Sequence, residues 1–312
     1  MYERYYGLQE RPFDLSPNPR FLCFTAQHRE ALAHLEYGLA GRPGITVIVG
    51  EAGTGKTTLV RKALQAADGS SIIVHLSNPT LTRAEFYEYL AGGFRFTADA
   101  GRSKIQFLRE VEQHLDDTSK PRLALVVDEA QSVPYELLEE IRLLTNAESA
   151  TGRSIAVALV GQPELGRRLD EARLRQLKQR VVLRCELTPL SLKDTAAYIS
   201  ARVKTAGGEA TRLFTRDAVI AIHQHSRGIP RVISVVCDNA LVNGFAADQQ
   251  PVGAAIVGEV CRTLALPFDE PPVKPAVTPV PPAAPGPVPQ PVAVAARAPM
   301  FASTGRRRFS FF

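Results

Sequence analysis

The chain has 312 residues, of which 45% are hydrophobic and 22% charged, so it can bury the core of one large or two small domains. Its four cysteines lie far apart and form no CxxC pair, which argues against a disulfide framework and predicts reduced core residues. The net charge is +5, but the residues up to Leu266 carry 32 basic and 30 acidic side chains. This near balance argues against a dedicated DNA-binding domain, although a local basic patch remains compatible with it.

Short apolar runs alternate with helical patterns along residues 1–188. They are ITVIV (45 to 49), SIIVHL (71 to 76), RLALVV (122 to 127), SIAVALV (154 to 160) and RVVLRCEL (180 to 187). Continuous apolar runs of this length are typical of strands buried on both faces, as in a parallel sheet covered by helices. The sequence therefore predicts a three-layer α/β domain over residues 1–188.

The second half of the chain has a different pattern. From Ser191 to about Leu264 amphipathic segments such as LKDTAAYISARVKTA follow one another, which predicts a small all-helical lid domain over residues 189–265. Twelve of the 23 prolines come after Leu266. Because proline lacks an N–H group and has a fixed φ angle, residues 266–312 are predicted to be a disordered tail. The tail ends in GRRRFSFF, which is either a solvated terminus or a segment that contacts a membrane surface, a nucleic acid or a partner protein.

The most specific motif is GEAGTGKT, Gly50 to Thr57, which follows the run ITVIV and opens a helical segment. Its glycines let the backbone turn so that successive N–H groups point at phosphate oxygens, and the helix N-terminus adds its positive dipole end. We predict that Lys56 contacts the β- and γ-phosphates of ATP and that Thr57 ligates Mg²⁺. A glycine-rich turn that matches by chance is the alternative. The predicted nucleotide-binding residues are Gly50, Glu51, Ala52, Gly53, Thr54, Gly55, Lys56, Thr57 and Thr58.

A second motif, LALVVDEA, places two carboxylates directly after an apolar run. Nucleotides bind at the carboxyl edge of a parallel sheet, where such residues come to lie. Asp128 would hold Mg²⁺ through its water shell, and Glu129 would activate the attacking water. Alone, adjacent acids after a strand are as often a solvated turn or a helix start. Together with the preceding glycine-rich loop they predict an ATPase.

Further segments occur in a fixed order along residues 1 to about 265. They are YYGLQERPFDLSPNPRFL, HREALAHLEYGL, GEAGTGKTT, VVDEAQ, LLEEIRLLTNAE, ALVGQPEL, LRQLKQRV and GIPRVI. In this order they resemble the AAA+ ATPases, in particular the ExeA type of the general secretion pathway. Similar ATPases serve pilus-biogenesis, exosortase and polysaccharide loci and, more distantly, transposition. The resemblance implies a P-loop NTPase fold with ATP and Mg²⁺ as ligands.

The resemblance also implies roles for three polar residues. Gln162 in ALVGQPEL would be sensor 1, which contacts the γ-phosphate or the attacking water, although AAA+ proteins more often have Asn there and a plain turn is the alternative. Arg180 would be the arginine finger that reaches a neighbouring subunit's site, with Arg175 as the fallback and a surface arginine as the alternative. Arg231 would be sensor 2, because an arginine at a helix start is opposed by the helix dipole unless an anion binds there.

The N-terminal segment around Phe13 and Phe21 resembles the stretch that packs around adenine, with ordinary core packing as the alternative. The histidines, including His223 and His225, show no metal-ligand pattern.

The resemblance implies a homo-oligomer, most often a hexameric ring, whose ATP turnover drives assembly or remodelling of a secretion, pilus or polysaccharide-export system. A DNA-associated ATPase that regulates transposition or recombination is the alternative. ExeA-type proteins usually continue through a transmembrane helix into a peptidoglycan-binding domain. This sequence shows neither, nor a signal peptide, so we expect a cytoplasmic protein, with peripheral membrane contact through the tail as one option.

Overall fold

The structure, a computed structural model, describes residues 2–15, 19–21, 24–40, 44–66, 69–149 and 152–266. The predicted tail beyond Leu266, with GRRRFSFF, lies outside the described residues, as does Cys23. The three other cysteines are buried free thiols, as predicted. In the part of the chain that the structure describes, no helix combines the length and the apolar character that a membrane span requires.

The described chain alternates strands and helices up to residue 187 and is helical beyond it. The strands are β1 Ile45–Gly50, β2 Ser71–Leu76, β3 Arg122–Val127, β4 Ala156–Gly161 and β5 Val181–Leu187. The helices are α1 Tyr2–Tyr5, α2 Ala26–Leu39, α3 Lys56–Ala66, α4 Arg83–Phe94, α5 Ala98–Arg102, α6 Lys104–Asp116, α7 Tyr135–Leu144, α8 Pro163–Leu169, α9 Arg175–Lys178, α10 Leu192–Thr205, α11 Ala210–Leu213, α12 Arg216–Ser226, α13 Pro230–Ala246 and α14 Ala254–Thr263. Single 3₁₀ turns lie at Pro19–Phe21, Ala130–Ser132 and Ala172–Leu174.

The five strands form one parallel sheet in the order β2-β3-β4-β1-β5, which confirms the predicted sheet. The central strands β1 and β4 are buried along their whole length. The expectation of strands buried on both faces is wrong for β5, where Val182, Arg184 and Glu186 are exposed. β5 is an edge strand of the sheet, and the face that carries these three residues is exposed to solvent.

Helices cover both faces of the sheet, because successive side chains of each strand point to opposite sides. In β3, Leu125 packs into a cluster with residues of α4, α6, α7 and α8, whereas Val126 packs into a second cluster with residues of α2 and α3. The predicted three-layer architecture is therefore confirmed.

The helices α10 to α14 surround a third hydrophobic cluster and confirm the predicted all-helical region. Tyr2, Tyr6, Phe13 and Phe21 belong to this same cluster. The hydroxyl of Tyr2 donates to Asp238 of α13 at 2.5 Å, which ties α1 to the helical region. The N-terminal segment therefore packs against helices that lie about two hundred positions later in the sequence. The predicted domain boundaries at residues 188 and 265 stay predictions.

Candidate functional site

A cleft of about 400 Å³ opens at the carboxyl edge of the sheet. We call its two sides the sheet-side wall and the lid-side wall. The sheet-side wall is formed by His28, residues 52–59 and Glu129. We include in it Asp128 and Gln162, which contact Thr57 and Glu129. The lid-side wall is formed by Asp14, Leu15 and Phe21 of the N-terminal segment and by Tyr198, Arg202 and Arg231 of the helical region.

The glycine-rich loop between β1 and α3 makes the floor of this cleft. Gly53 and Gly55 have φ angles of 83° and 101°, a backbone region that residues with side chains rarely adopt. A Cβ atom on Gly53 would also lie 2.8 Å from Cβ of Arg231, so glycine permits the close approach of α13 to the loop. The loop curls directly into the N-terminus of α3, the arrangement in which backbone N–H groups and the helix dipole bind phosphate.

Lys56, the first residue of α3, spans the loop. Its Nζ donates to the carbonyl oxygens of Gly50 at 2.8 Å and Glu51 at 2.9 Å, and the residue is 5% exposed. Burial lowers the pKa of Lys56, while the carboxylates of Glu129 and Asp128 oppose that shift. The ammonium group therefore lies in a partly dehydrated position, where an anionic ligand gains more from it than in open solvent.

Thr57 and Asp128 meet at the next position along the cleft, although they lie 71 positions apart in the sequence. The hydroxyl of Thr57 donates to Oδ2 of Asp128 at 2.8 Å. Hydroxyl and carboxylate oxygens are the hard donors that Mg²⁺ prefers, and this ion usually takes its remaining ligands from water and phosphate. The pair therefore fits Mg²⁺. Within the described ranges no group of three or more His, Cys, Asp and Glu residues is arranged to hold a metal ion alone.

Glu129 follows Asp128 and lies in the left-handed region with a φ angle of 51°. A residue with a side chain in this region is strained, and such strain clusters at functional sites. Its Oε2 atom accepts hydrogen bonds from Nε2 of Gln131 at 2.6 Å and from Nε2 of Gln162 at 3.3 Å. The structure thus brings the predicted residue Gln162, which precedes α8, against the predicted base.

The two predicted arginines occupy different places. Arg231 lines the cleft, and its backbone N–H donates to the carbonyl oxygen of Gly53 at 3.2 Å. Arg180 lies at the amino edge of the sheet, where its carbonyl accepts from the N–H of Ile45 and its Nη2 donates to Asn146 at 2.5 Å. Neither Arg180 nor Arg175 is among the described residues that line the cleft of their own chain.

His28 of α2 is a site residue that sequence reasoning missed. Its Nε2 lies 2.9 Å from the carbonyl oxygen of Thr54 and its Nδ1 lies 2.7 Å from Oγ1 of Thr25. A carbonyl only accepts, so Nε2 carries the proton and Nδ1 accepts from the hydroxyl. The ring therefore braces the loop from the start of α2. The sequence feature that could have indicated His28 is the segment HREALAHLEYGL, which begins with this histidine.

Arg202 of α10 was also missed, and its contacts join the two parts of the lid-side wall. It donates to the carbonyl oxygens of Pro12 at 2.6 Å and Asp14 at 3.0 Å. It also donates to the hydroxyls of Tyr198 at 2.6 Å and Ser234 at 3.2 Å. No local pattern indicates this role, because the carbonyl groups lie about 190 positions away in the sequence.

Residues 40–169 match the family model of the AAA domain. The chain is 40% identical over 248 residues to General secretion pathway protein A of Aeromonas hydrophila, which covers 79% of the chain and 45% of that relative. Residues 40–169 of the chain therefore form an AAA domain. The predicted resemblance to the secretion-pathway type is thereby confirmed, and the chain spans about half the length of this curated relative.

Two solved structures are similar to this chain in fold. Cdc6p from Pyrobaculum aerophilum has 16% identity and a TM-score of 0.57, and the match covers 77% of this chain and 67% of that one. The Aeropyrum pernix ORC2 protein has 16% identity and a TM-score of 0.59, with 81% and 71% covered. These matches support the P-loop NTPase fold.

Proposed function

We propose that this AAA+ chain binds ATP with Mg²⁺ in the cleft and hydrolyses it to ADP and phosphate. The observation that carries the proposal is the contact between Thr57 and Asp128 at 2.8 Å, beside the buried ammonium group of Lys56. It joins a phosphate-binding loop to the carboxylate at the end of β3. Two motifs that are separate in sequence thus form one site.

Each residue of the sheet-side wall has a distinct task in this proposal. The loop N–H groups and Lys56 hold the β- and γ-phosphates. Mg²⁺, when held by Thr57 and Asp128, would offset the charge of the phosphate oxygens. Glu129 orients a water for in-line attack on the γ-phosphorus and accepts its proton as the bond to ADP breaks. Gln162 stabilises the arrangement of Glu129 and the water, and Arg231 offsets phosphate charge from the lid-side wall.

Oligomerisation is part of the proposal, because Arg180 lies at the amino edge of the sheet, whereas the cleft of its own chain opens at the carboxyl edge. We propose a homo-oligomer, most simply a hexameric ring, in which Arg180 of one subunit reaches the γ-phosphate held by the next. Exposure of the residue supports this role. An arginine supplied in trans stabilises charge that develops in the transition state.

We further propose that ATP turnover drives assembly or remodelling of a secretion, pilus or polysaccharide-export system from the cytoplasmic side. The support is the 40% identity to General secretion pathway protein A. A tagged Glu129→Gln variant, which holds ATP longer, should recover a protein partner of such a system in the presence of ATP. Recovery of DNA instead would contradict the export role.

The test of the ATPase proposal separates binding from turnover. Lys56→Ala should lose nucleotide binding because it removes the phosphate contact, whereas Glu129→Gln should bind ATP and hardly turn it over. Lys193→Ala and Glu136→Gln, two exposed positions outside the cleft, are matched controls and should behave as wild type. Equal loss of binding in Lys56→Ala and Glu129→Gln would refute this division of roles.

A further inference from the structure

Gln131 links the two side chains that the proposed hydrolysis places against the attacking water. Its Nε2 donates to Oε2 of Glu129 at 2.6 Å, and its Oε1 accepts from the backbone N–H of Gln162 at 3.0 Å. The side chain of Gln162 reaches the same oxygen of Glu129 at 3.3 Å. Gln131 thus closes a small ring of hydrogen bonds between the ends of β3 and β4.

The orientation of this amide is fixed by chemistry. The backbone N–H of Gln162 only donates, so the Gln131 atom facing it must be the carbonyl oxygen. The remaining NH₂ group then faces Glu129, whose ionised carboxylate only accepts. A glutamine satisfies both ends at once. A glutamate at the same position would satisfy only the first and would place a like charge against Glu129.

Two neighbouring features hold Gln131 in place. A Cβ atom on Gly161, the last residue of β4, would lie 2.7 Å from Oε1 of Gln131, so glycine makes room for the amide. The φ angle of Gly161 lies outside the left-handed region, so the backbone conformation does not require a glycine here. The space that the Gln131 amide occupies does require it. Arg168 of α8 donates to the carbonyl oxygens of Gln131 and Val133, the latter at 2.7 Å. The turn after β3 is therefore clamped from α8.

We propose that Gln131 is the positioning residue that holds the carboxylate of Glu129 in its working direction and couples it to Gln162. This inference rests on the proposed ATPase function. The two hydrogen bonds at Oε2 set the direction of the Glu129 carboxylate, and Gln131 supplies the shorter of them. Any displacement of Gln162, whose own N–H binds Gln131, is transmitted to Glu129 through one amide.

The first test compares Gln131→Met with Gln131→Glu. Methionine keeps the length and removes both hydrogen bonds, whereas glutamate keeps the bond to Gln162 and opposes Glu129. We expect kcat to fall roughly tenfold in Gln131→Met and on the order of a hundredfold in Gln131→Glu, with KM and ATP affinity within about twofold of wild type. Gln113→Glu on the exposed face of α6 controls for added charge and should match wild type.

The second test reads the contact without any turnover. Gln131→Glu should lower the melting temperature because two carboxylates face each other. The exchange Glu129→Gln with Gln131→Glu restores a donor opposite an acceptor, so the melting temperature should recover towards that of Glu129→Gln alone. The exchanged protein stays inactive, since the carboxylate that handles water is gone.

A third test works through Gly161, which does not touch Glu129. Gly161→Ala places a methyl group against the Gln131 amide and should lower kcat with unchanged ATP affinity. In the background of Gln131→Ala the same methyl group no longer meets the side-chain amide, although Cδ2 of Leu165 at 3.1 Å and the backbone nitrogen of residue 131 at 3.2 Å stay close. Its further effect on kcat should therefore be smaller than in the wild type.

The outcomes are distinct. Loss of kcat at constant affinity, together with recovery of stability in the exchange, supports the inference. Wild-type kcat in Gln131→Glu, or a parallel loss of kcat, affinity and stability without recovery in the exchange, overturns it. Absence of turnover in the wild type would instead overturn the proposed ATPase function and the positioning role of Gln131 with it.

Discussion

The two walls of the cleft are built in different ways. Apart from His28, the sheet-side wall takes its polar groups from segments that each follow a strand: Lys56 after β1, Asp128 and Glu129 after β3, and the supporting residue Gln162 after β4. Parallel strands end at one edge, so these groups meet without further devices. The lid-side wall instead joins an N-terminal segment to helices about 190 positions later through Arg202 and a shared hydrophobic cluster.

The two walls therefore differ in how the sequence determines the identity and the position of their residues. On the sheet-side wall, local motifs fix the chemistry and the topology fixes the position. On the lid-side wall, tertiary packing fixes both, and the contact with the loop is made at Gly53 by the backbone N–H of Arg231. Apart from the phosphate contacts of Lys56 and its loop, changes on the first wall should therefore affect turnover, and changes on the second should affect ligand affinity or stability.

The prediction with the largest expected effect tests whether the sheet-side wall needs an arginine from a neighbouring subunit for turnover. Arg180→Ala should keep ATP affinity per subunit and lower turnover by roughly 10³-fold or more, because a finger acts on charge that develops in a neighbour's site. Steady-state kinetics and nucleotide titration measure the two quantities. Arg175→Ala is the matched comparison and should have the smaller effect.

Mixing Arg180→Ala with Lys56→Ala decides between a shared site and a local one. An interface can then combine an intact loop from the first protein with an intact arginine from the second, so partial activity should return. A mixture that stays inactive, although both variants enter one oligomer, would show that Arg180 is only a surface arginine.

Apart from His28, the residues that line the sheet-side wall were named from the sequence, because each of their motifs carries its own chemistry. The loop at Gly50 to Thr57 and the pair Asp128 and Glu129 stand next to strands whose apolar runs are visible in the sequence. The start of β4 was placed too early, because Ser154 forms only an isolated antiparallel bridge with Glu148. The exposed face of β5 was missed because its position at the sheet edge follows from strand order, which the apolar run does not encode.

On the lid-side wall the sequence indicated Arg231 and the segment with Phe21, and the role of Arg202 was not predictable for a physical reason. Arg202 lies on an amphipathic helix, where an arginine ordinarily reaches solvent, and its partners are backbone carbonyl groups that any sequence provides. Phe13 and Phe21 were named, but both interpretations, contact with adenine and core packing, remained open. Phe13 is 1% exposed in the helical cluster, whereas Phe21 belongs to that cluster and also lines the cleft.

The second prediction concerns that wall. Arg202→Met keeps an apolar stem but loses the hydrogen bonds to Pro12 and Asp14, so the N-terminal part of the wall should lose its position. We expect ATP affinity to fall roughly tenfold and kcat at saturating ATP to stay within about twofold. Titration with a fluorescent ATP analogue and steady-state kinetics measure this split.

Arg212→Met on α11 is the control, because Arg212 is exposed and pairs only on the surface with Glu209. It should leave affinity and turnover unchanged. Should Arg202→Met lower kcat at saturation as strongly as affinity, the two walls would not divide binding from turnover, and the comparison would fail.

The smallest expected effect separates the stability of the lid-side wall from its binding. Tyr2→Phe removes the hydroxyl that donates to Asp238 and should lower the free energy of unfolding by roughly 1–2 kcal/mol, with ATP affinity unchanged. Burial and the Asp238 carboxylate raise the pKa of Tyr2 above its ordinary value of about 10. The stabilisation is therefore fully present below pH 10 and declines as the pH rises above it, because the unfolded chain ionises first. Urea unfolding of both proteins at about pH 7 and about pH 11 should show that the stability advantage of the wild type over Tyr2→Phe shrinks.

Tyr5→Phe is the matched control from the same helix. The hydroxyl of Tyr5 donates to Asp248 at 3.0 Å in an exposed position, so its removal should cost only a few tenths of a kcal/mol. An equal cost in both variants at either pH would show that the buried contact does not anchor α1.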